Sequence, residues 1–110
     1  MCGIFAYLNY LVPRDRKYIL EMLVSGLKRL EYRGYDSAGL AVDSDSSTAN
    51  HNEVFTTILI KKSGKVALLE KECRASSLDL ARVFLNHAGI AHTRWATHGP
   101  PTEVYITMYI

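Results

Sequence analysis

Apolar residues fall in several short runs and one long amphipathic stretch. Ile19, Leu20, Leu23, Val24, Leu27 and Leu30 recur at the spacing of one helical face, and Asp15 precedes them as a capping residue. The spacing predicts a helix over 15–32, with Lys28, Arg29 and Arg33 favourable at its negative end and Gly34 as its stop. Segment 3–8, Gly-Ile-Phe-Ala-Tyr-Leu, is short, apolar and partly aromatic, which suits a buried strand. Segments 37–42 and 88–93 also read as strands, 54–60 is β-rich, and 104–110 has strong β propensity and no charge. Shorter helices are predicted over 66–74 and 78–85. Residues 9–14 form a connector, 43–52 a polar surface loop without periodicity, and 61–65 a turn. There is no internal repeat and no interdomain linker, so 110 residues suggest one small domain.

Composition narrows the classes. With 48% hydrophobic and 22% charged residues the chain is neither disordered nor collagen-like. A net charge of +2 argues for neither nucleic acid nor an anionic membrane as partner. No apolar run approaches the length of a membrane span, and the start lacks the basic and apolar regions of a signal peptide. With two cysteines and no glycosylation sequon, the expected setting is reduced and cytoplasmic, without a disulfide.

The chemistry begins at Cys2. Removal of Met1 would leave one residue carrying both a thiol and a free α-amine. An unperturbed α-amine titrates near 7.7–8.0, so part of it is neutral at physiological pH and can accept the thiol proton. The nucleophile then brings its own base. The competing reading is a small hydrophobe buried in a first strand.

Two further segments are dense in functional groups. Segment 29–39 joins a helix end to a strand start, where binding loops often sit; an ordinary capped turn is the alternative. Segment 92–99 holds an arginine, a tryptophan, two threonines and two histidines in eight residues. There Arg94 can grip a carboxylate through two parallel N–H bonds, and Trp95 can wall a small-ligand pocket. The plainer reading is a strand end with a core tryptophan. His87, His92 and His98 match no common zinc spacing, and Gly64-Lys65 lacks the earlier glycine of a phosphate loop. No metal is expected.

Met-Cys-Gly-Ile at the start, Arg-Leu-Glu-Tyr-Arg-Gly-Tyr-Asp-Ser-Ala-Gly at 29–39 and Gly-Ile-Ala-His-Thr-Arg-Trp-Ala-Thr-His-Gly at 89–99 together resemble a family. It is the glutaminase domain of the glutamine–fructose-6-phosphate aminotransferases; the opening ten residues and Lys-Lys-x-Gly-Lys-Val at 61–66 look like the eukaryotic form. The resemblance implies an α+β, N-terminal-nucleophile hydrolase fold, with two sheets stacked between helical layers. It implies Cys2 as the nucleophile that releases ammonia from glutamine through a thioester. It further implies that Arg94, Thr97 and His98 hold the substrate, Trp95 lines its pocket and Arg33 supports the nucleophile loop. No cofactor is implied. The partners implied are glutamine and a separate sugar-isomerising domain that makes glucosamine 6-phosphate, in an enzyme that is a homo-oligomer.

The match breaks after Gly99. Pro100 stands where the pattern has glutamate, and Tyr105 stands where it has asparagine. The later Asn-Gly pair, which supplies the oxyanion hole, and a later aspartate are not found. The expectation is therefore 1–99 as a partial domain, about the first half of an incomplete αββα sandwich, and 100–110 as a divergent β-rich tail. Such a fragment, alternative transcript or gene-model artefact is expected to have little or no glutaminase activity alone. A rival is an inactive fragment that binds or perturbs the full-length enzyme.

Overall fold

The computed structural model describes residues 2–31, 36–44, 57–76 and 78–95. In order along the chain these form β1 (Gly3–Asn9), β2 (Arg14–Asp15), α1 (Arg16–Arg29), β3 (Ser37–Asp43), β4 (Thr57–Ser63), α2 (Val66–Ala75), β5 (Val83–Phe84) and β6 (His87–Arg94). Four strands make an antiparallel sheet in the order β1-β6-β3-β4, and β2 pairs with β5 in a separate ribbon. The described architecture is thus a mixed, antiparallel α+β arrangement.

Helix α1 starts where its capping residue predicts. Asp15 has extended backbone, and its Oδ1 accepts the Tyr18 amide hydrogen at 2.7 Å. The helix ends at Arg29, short of the expected 32, because the last turn tightens: the Leu30 amide donates to the Leu27 carbonyl at 2.9 Å. Gly34, the expected stop, lies outside the described residues.

The sheet has one covered and one open face. Alternation along the pleat sends Phe5 and Tyr7 of β1, Ala91 of β6, Ala38, Leu40 and Val42 of β3, and Ile58 and Ile60 of β4 toward the helices. There they meet Ile19, Leu23 and Leu27 of α1 and Val66, Leu69 and Cys73 of α2. Ile4, Leu8 and Leu59 point the other way and stay open, Ile4 and Leu8 at 69% and 73% exposure.

Two expectations are corrected. Residues 61–63, expected in a turn, continue β4, because they pair with Gly39, Ala38 and Ser37. Only Gly64, at φ +95°, turns the chain, in a conformation that favours glycine. Residues 54–56 of the β-rich segment lie outside the described residues, as do most of the 43–52 loop and all of 104–110.

The helix expected over 78–85 is not formed. Instead the segment turns at 79–82, where the Arg82 amide donates to the Asp79 carbonyl at 3.4 Å, and becomes strand only at Val83–Phe84; Leu78, Leu80, Arg82 and Phe84 are half-buried and the residues between them exposed. Its carbonyls meet a specific need: the first amides of a helix have no partner inside it. The Arg82 carbonyl accepts the Arg16 amide at 2.9 Å and the Leu80 carbonyl accepts the Lys17 amide at 3.0 Å.

The end of the sheet near Phe84 holds a buried polar group. His87, 2% exposed, packs edge-to-face on Phe84 with ring centroids 4.7 Å apart. Burial pushes its pKa down, and the Arg16 guanidinium adds to this; the Asp43 carboxylate and carbonyl offset only part. An unfolded histidine titrates near 6.5, so between the folded value and about 6.5 the unfolded chain binds more protons. Stability is therefore complete above about pH 6.5 and is lost as pH falls below it. Urea midpoints are expected to fall from about pH 8 to about pH 5, and to fall less steeply in His87→Leu. His92, whose pKa is also lowered, keeps part of the slope. An identical slope in the variant would exclude His87 as a source.

Candidate functional site at the open end of the sheet

At the opposite end, β1 begins, β6 finishes and β3 begins. The register pairs Gly3 with Thr93 and Ser37 with Arg94. Continuing the β1 register by one step sets Cys2 across from Arg94, so the two lie at one strand end on the open face. Cys2 is exposed and free, which rules out the reading of a hydrophobe buried in the first strand.

The end of β6 is held from both sides. Toward β1, the Gly3 amide donates to Thr93 Oγ1 at 3.1 Å, and Thr93 is 2% exposed. Toward β3, the Asp36 amide donates to the Arg94 carbonyl at 2.9 Å, and the Asp36 carbonyl accepts the Gly64 amide at 2.8 Å. Ser37, fully buried, donates its hydroxyl to Asp36 Oδ1 at 2.9 Å. The turn at Gly64 thus fixes Asp36, which in turn fixes the Arg94 backbone.

Arg94 carries a positive charge at this end and is 9% exposed. His92 lies two residues back on the same face. Burial first, and then the Arg94 guanidinium, lower its pKa, so it stays neutral at physiological pH. Trp95, directly after Arg94, is 49% exposed; it is not a core tryptophan. Its indole remains open to a ligand.

The described residues bring Cys2, Arg94 and Trp95 to one end of the fold; Arg33, Thr97 and His98 lie outside them. Thr93, Asp36 and Ser37 were not singled out by sequence. Each stands inside one of the two dense motifs, and no periodicity marks any of them as a support. Among the described residues no group of three or more His, Cys, Asp or Glu side chains is placed to hold a metal. His87 and His92 occupy opposite faces of β6 by the alternation of the strand. The second cysteine, Cys73, is buried in α2, where desolvation pushes its thiol up to about 11; a thiolate there is scarce.

No family model matches the chain. Curated proteins do, among them glutamine–fructose-6-phosphate aminotransferases [isomerizing]. The chain is 55% identical over 105 residues to human glutamine–fructose-6-phosphate aminotransferase [isomerizing] 2, covering 94% of this chain and 15% of that protein. It is 55% identical over 104 residues to the probable enzyme of Schizosaccharomyces pombe and 51% identical over 104 residues to that of Saccharomyces cerevisiae, covering 94% of this chain and 14% of each. Over most of its length the chain is thus similar to glutamine–fructose-6-phosphate aminotransferases, and it spans about 15% of the length of the relatives it matches.

Proposed function

We propose that the chain is a glutaminase segment of such an aminotransferase, with residues 1–99 forming part of an N-terminal-nucleophile hydrolase domain in the cytoplasm. The observation that carries this reading is that an exposed Cys2, one residue before the Gly3–Thr93 pair, and Arg94, one residue after it, stand at the same strand end, in a chain 55% identical to these enzymes. The open apolar face around Ile4, Leu8 and Leu59 supports the fold assignment, since a second stacked sheet covers such a face in that fold.

Loss of Met1 frees the Cys2 α-amine, which takes the thiol proton as Sγ attacks the side-chain amide carbon of glutamine. The S–C bond forms, the C–N bond breaks, and the nitrogen leaves as ammonia with the proton returned by the amine. Water then cleaves the thioester, giving glutamate and the free thiol. Arg94 seats the substrate α-carboxylate through paired N–H bonds. Thr97 and His98 add donors, Trp95 lines the pocket and Arg33 supports the nucleophile loop. Ammonia passes to a sugar-isomerising domain for synthesis of glucosamine 6-phosphate.

A chloroketone analogue of glutamine tests this reading without requiring turnover. Sγ displaces chloride and leaves a stable thioether. Alkylation of Cys2 is expected to slow when glutamine is added in excess. A rate indifferent to glutamine would leave Cys2 as an ordinary exposed thiol.

A further inference from the structure

We propose that Thr93 is a positioning residue for the Cys2 nucleophile, acting through the Gly3 amide; this rests on the reading of Cys2 above. The Gly3 amide is the first backbone group after the nucleophile. It donates to Thr93 Oγ1 at 3.1 Å in a buried setting, across 90 residues of sequence. A Cβ on Gly3 would lie 2.8 Å from that oxygen and 2.9 Å from Leu30 Cδ1. The peptide joining Cys2 to Gly3 is therefore clamped between a hydroxyl of β6 and the end of α1. A side chain at position 3 would force Thr93 and Leu30 to shift.

Thr93 is also the residue before Arg94. One stretch of β6 thus sets both the nucleophile, through the Thr93 side chain, and the substrate-binding arginine, through the chain itself. A buried amide left without its acceptor shifts or draws in water. Cys2 lies one position before Gly3, the first paired residue of β1, so a shift of the Gly3 amide is passed directly to it. Thr93 does not touch the substrate; its effect is on where Sγ sits relative to Arg94.

The test compares two alkylating agents on Cys2 by intact mass and peptide mapping. The chloroketone analogue of glutamine requires Sγ and Arg94 in register, whereas iodoacetamide requires only an exposed thiol. In Thr93→Val, which keeps the shape and loses the acceptor, analogue labelling is expected to slow roughly 10- to 100-fold. Iodoacetamide labelling of Cys2 is expected to hold near the parental rate, and Thr93→Ser to restore the analogue rate. Cys73, 4% exposed, reports folding: it stays unlabelled in an intact variant.

If Thr93→Val exposes Cys73, the pair Thr93→Ser and Thr93→Ala decides, with a slow Ala and a fast Ser supporting the proposal and equal rates overturning it. A protected Cys73 with an unchanged analogue rate in Thr93→Val also overturns it. Failure of the underlying reading looks different: the parent itself then shows no preference for the analogue over iodoacetamide.

Discussion

Replacing Arg94 by alanine is expected to slow alkylation of Cys2 by the glutamine analogue about 10- to 100-fold at low analogue concentration. A hydrogen-bonded charge is worth about 1.5–3 kcal/mol, and each 1.4 kcal/mol is about tenfold in affinity. The loss is one of binding, so raising the analogue concentration recovers most of the rate. Arg94→Lys restores the charge but not the planar fork, and is expected to fall between the two. The His92 imidazole, freed from the nearby guanidinium, is expected to titrate higher in Arg94→Ala, an independent reading by NMR of what Arg94 does to this end of the sheet. Loss of maximal rate with unchanged concentration dependence would remove Arg94 from substrate binding.

The largest stability effect is expected at Gly26. A Cβ there would lie 2.3 Å from Phe5 Cγ and within 2.6 Å of both ring Cδ atoms, so α1 lies directly on the Phe5 ring. Overpacking of this kind costs about 1–3 kcal/mol, and a β-branched side chain in a helix adds to it. Gly26→Val is expected to lose about 3 kcal/mol, hence roughly 10–20 °C in Tm for a domain of this size. Gly26→Ala is expected to lose less, since alanine gains about 1 kcal/mol of helix propensity over glycine. Adding Phe5→Leu relieves the clash, so the double variant Phe5→Leu with Gly26→Ala is expected to be more stable than the sum of the two changes. Additive losses in thermal melts would contradict the contact.

Much of the fold was legible in the chain because its signals are local. The 3.6-residue repeat from Ile19 to Leu30 and the cap at Asp15 depend on near neighbours, and the helix begins where they place it. The strands over 3–8, 37–42 and 88–93 were readable as apolar runs, and each gains one or two residues at its ends. Segment 78–85 failed because its half-buried residues alternate in twos, while its apolar content suited a helix equally well. Its conformation is set by its bonds to the first amides of α1, those of Arg16 and Lys17, more than sixty residues earlier. Gly26 gave no sign in sequence of the ring lying on it.

The site divides in the same way. Cys2, Arg94 and Trp95 are legible as candidates because their chemistry is carried by the residues themselves. Thr93, Asp36 and Ser37 act through bonds that exist only once β1, β3 and β6 are side by side. Arg33, Thr97 and His98 enter the site on resemblance and lie outside the described residues.

The central claim is that Cys2 is a nucleophile shaped for glutamine, and one measurement tests it most directly. The protein is exposed to the chloroketone analogue of glutamine and its intact mass and peptides are read over time. The predicted result is a polypeptide lacking Met1 with a single adduct, located at Cys2, absent from Cys73 and slowed by excess glutamine. An unmodified Cys2, or an adduct that forms at the same rate with and without glutamine, would contradict it.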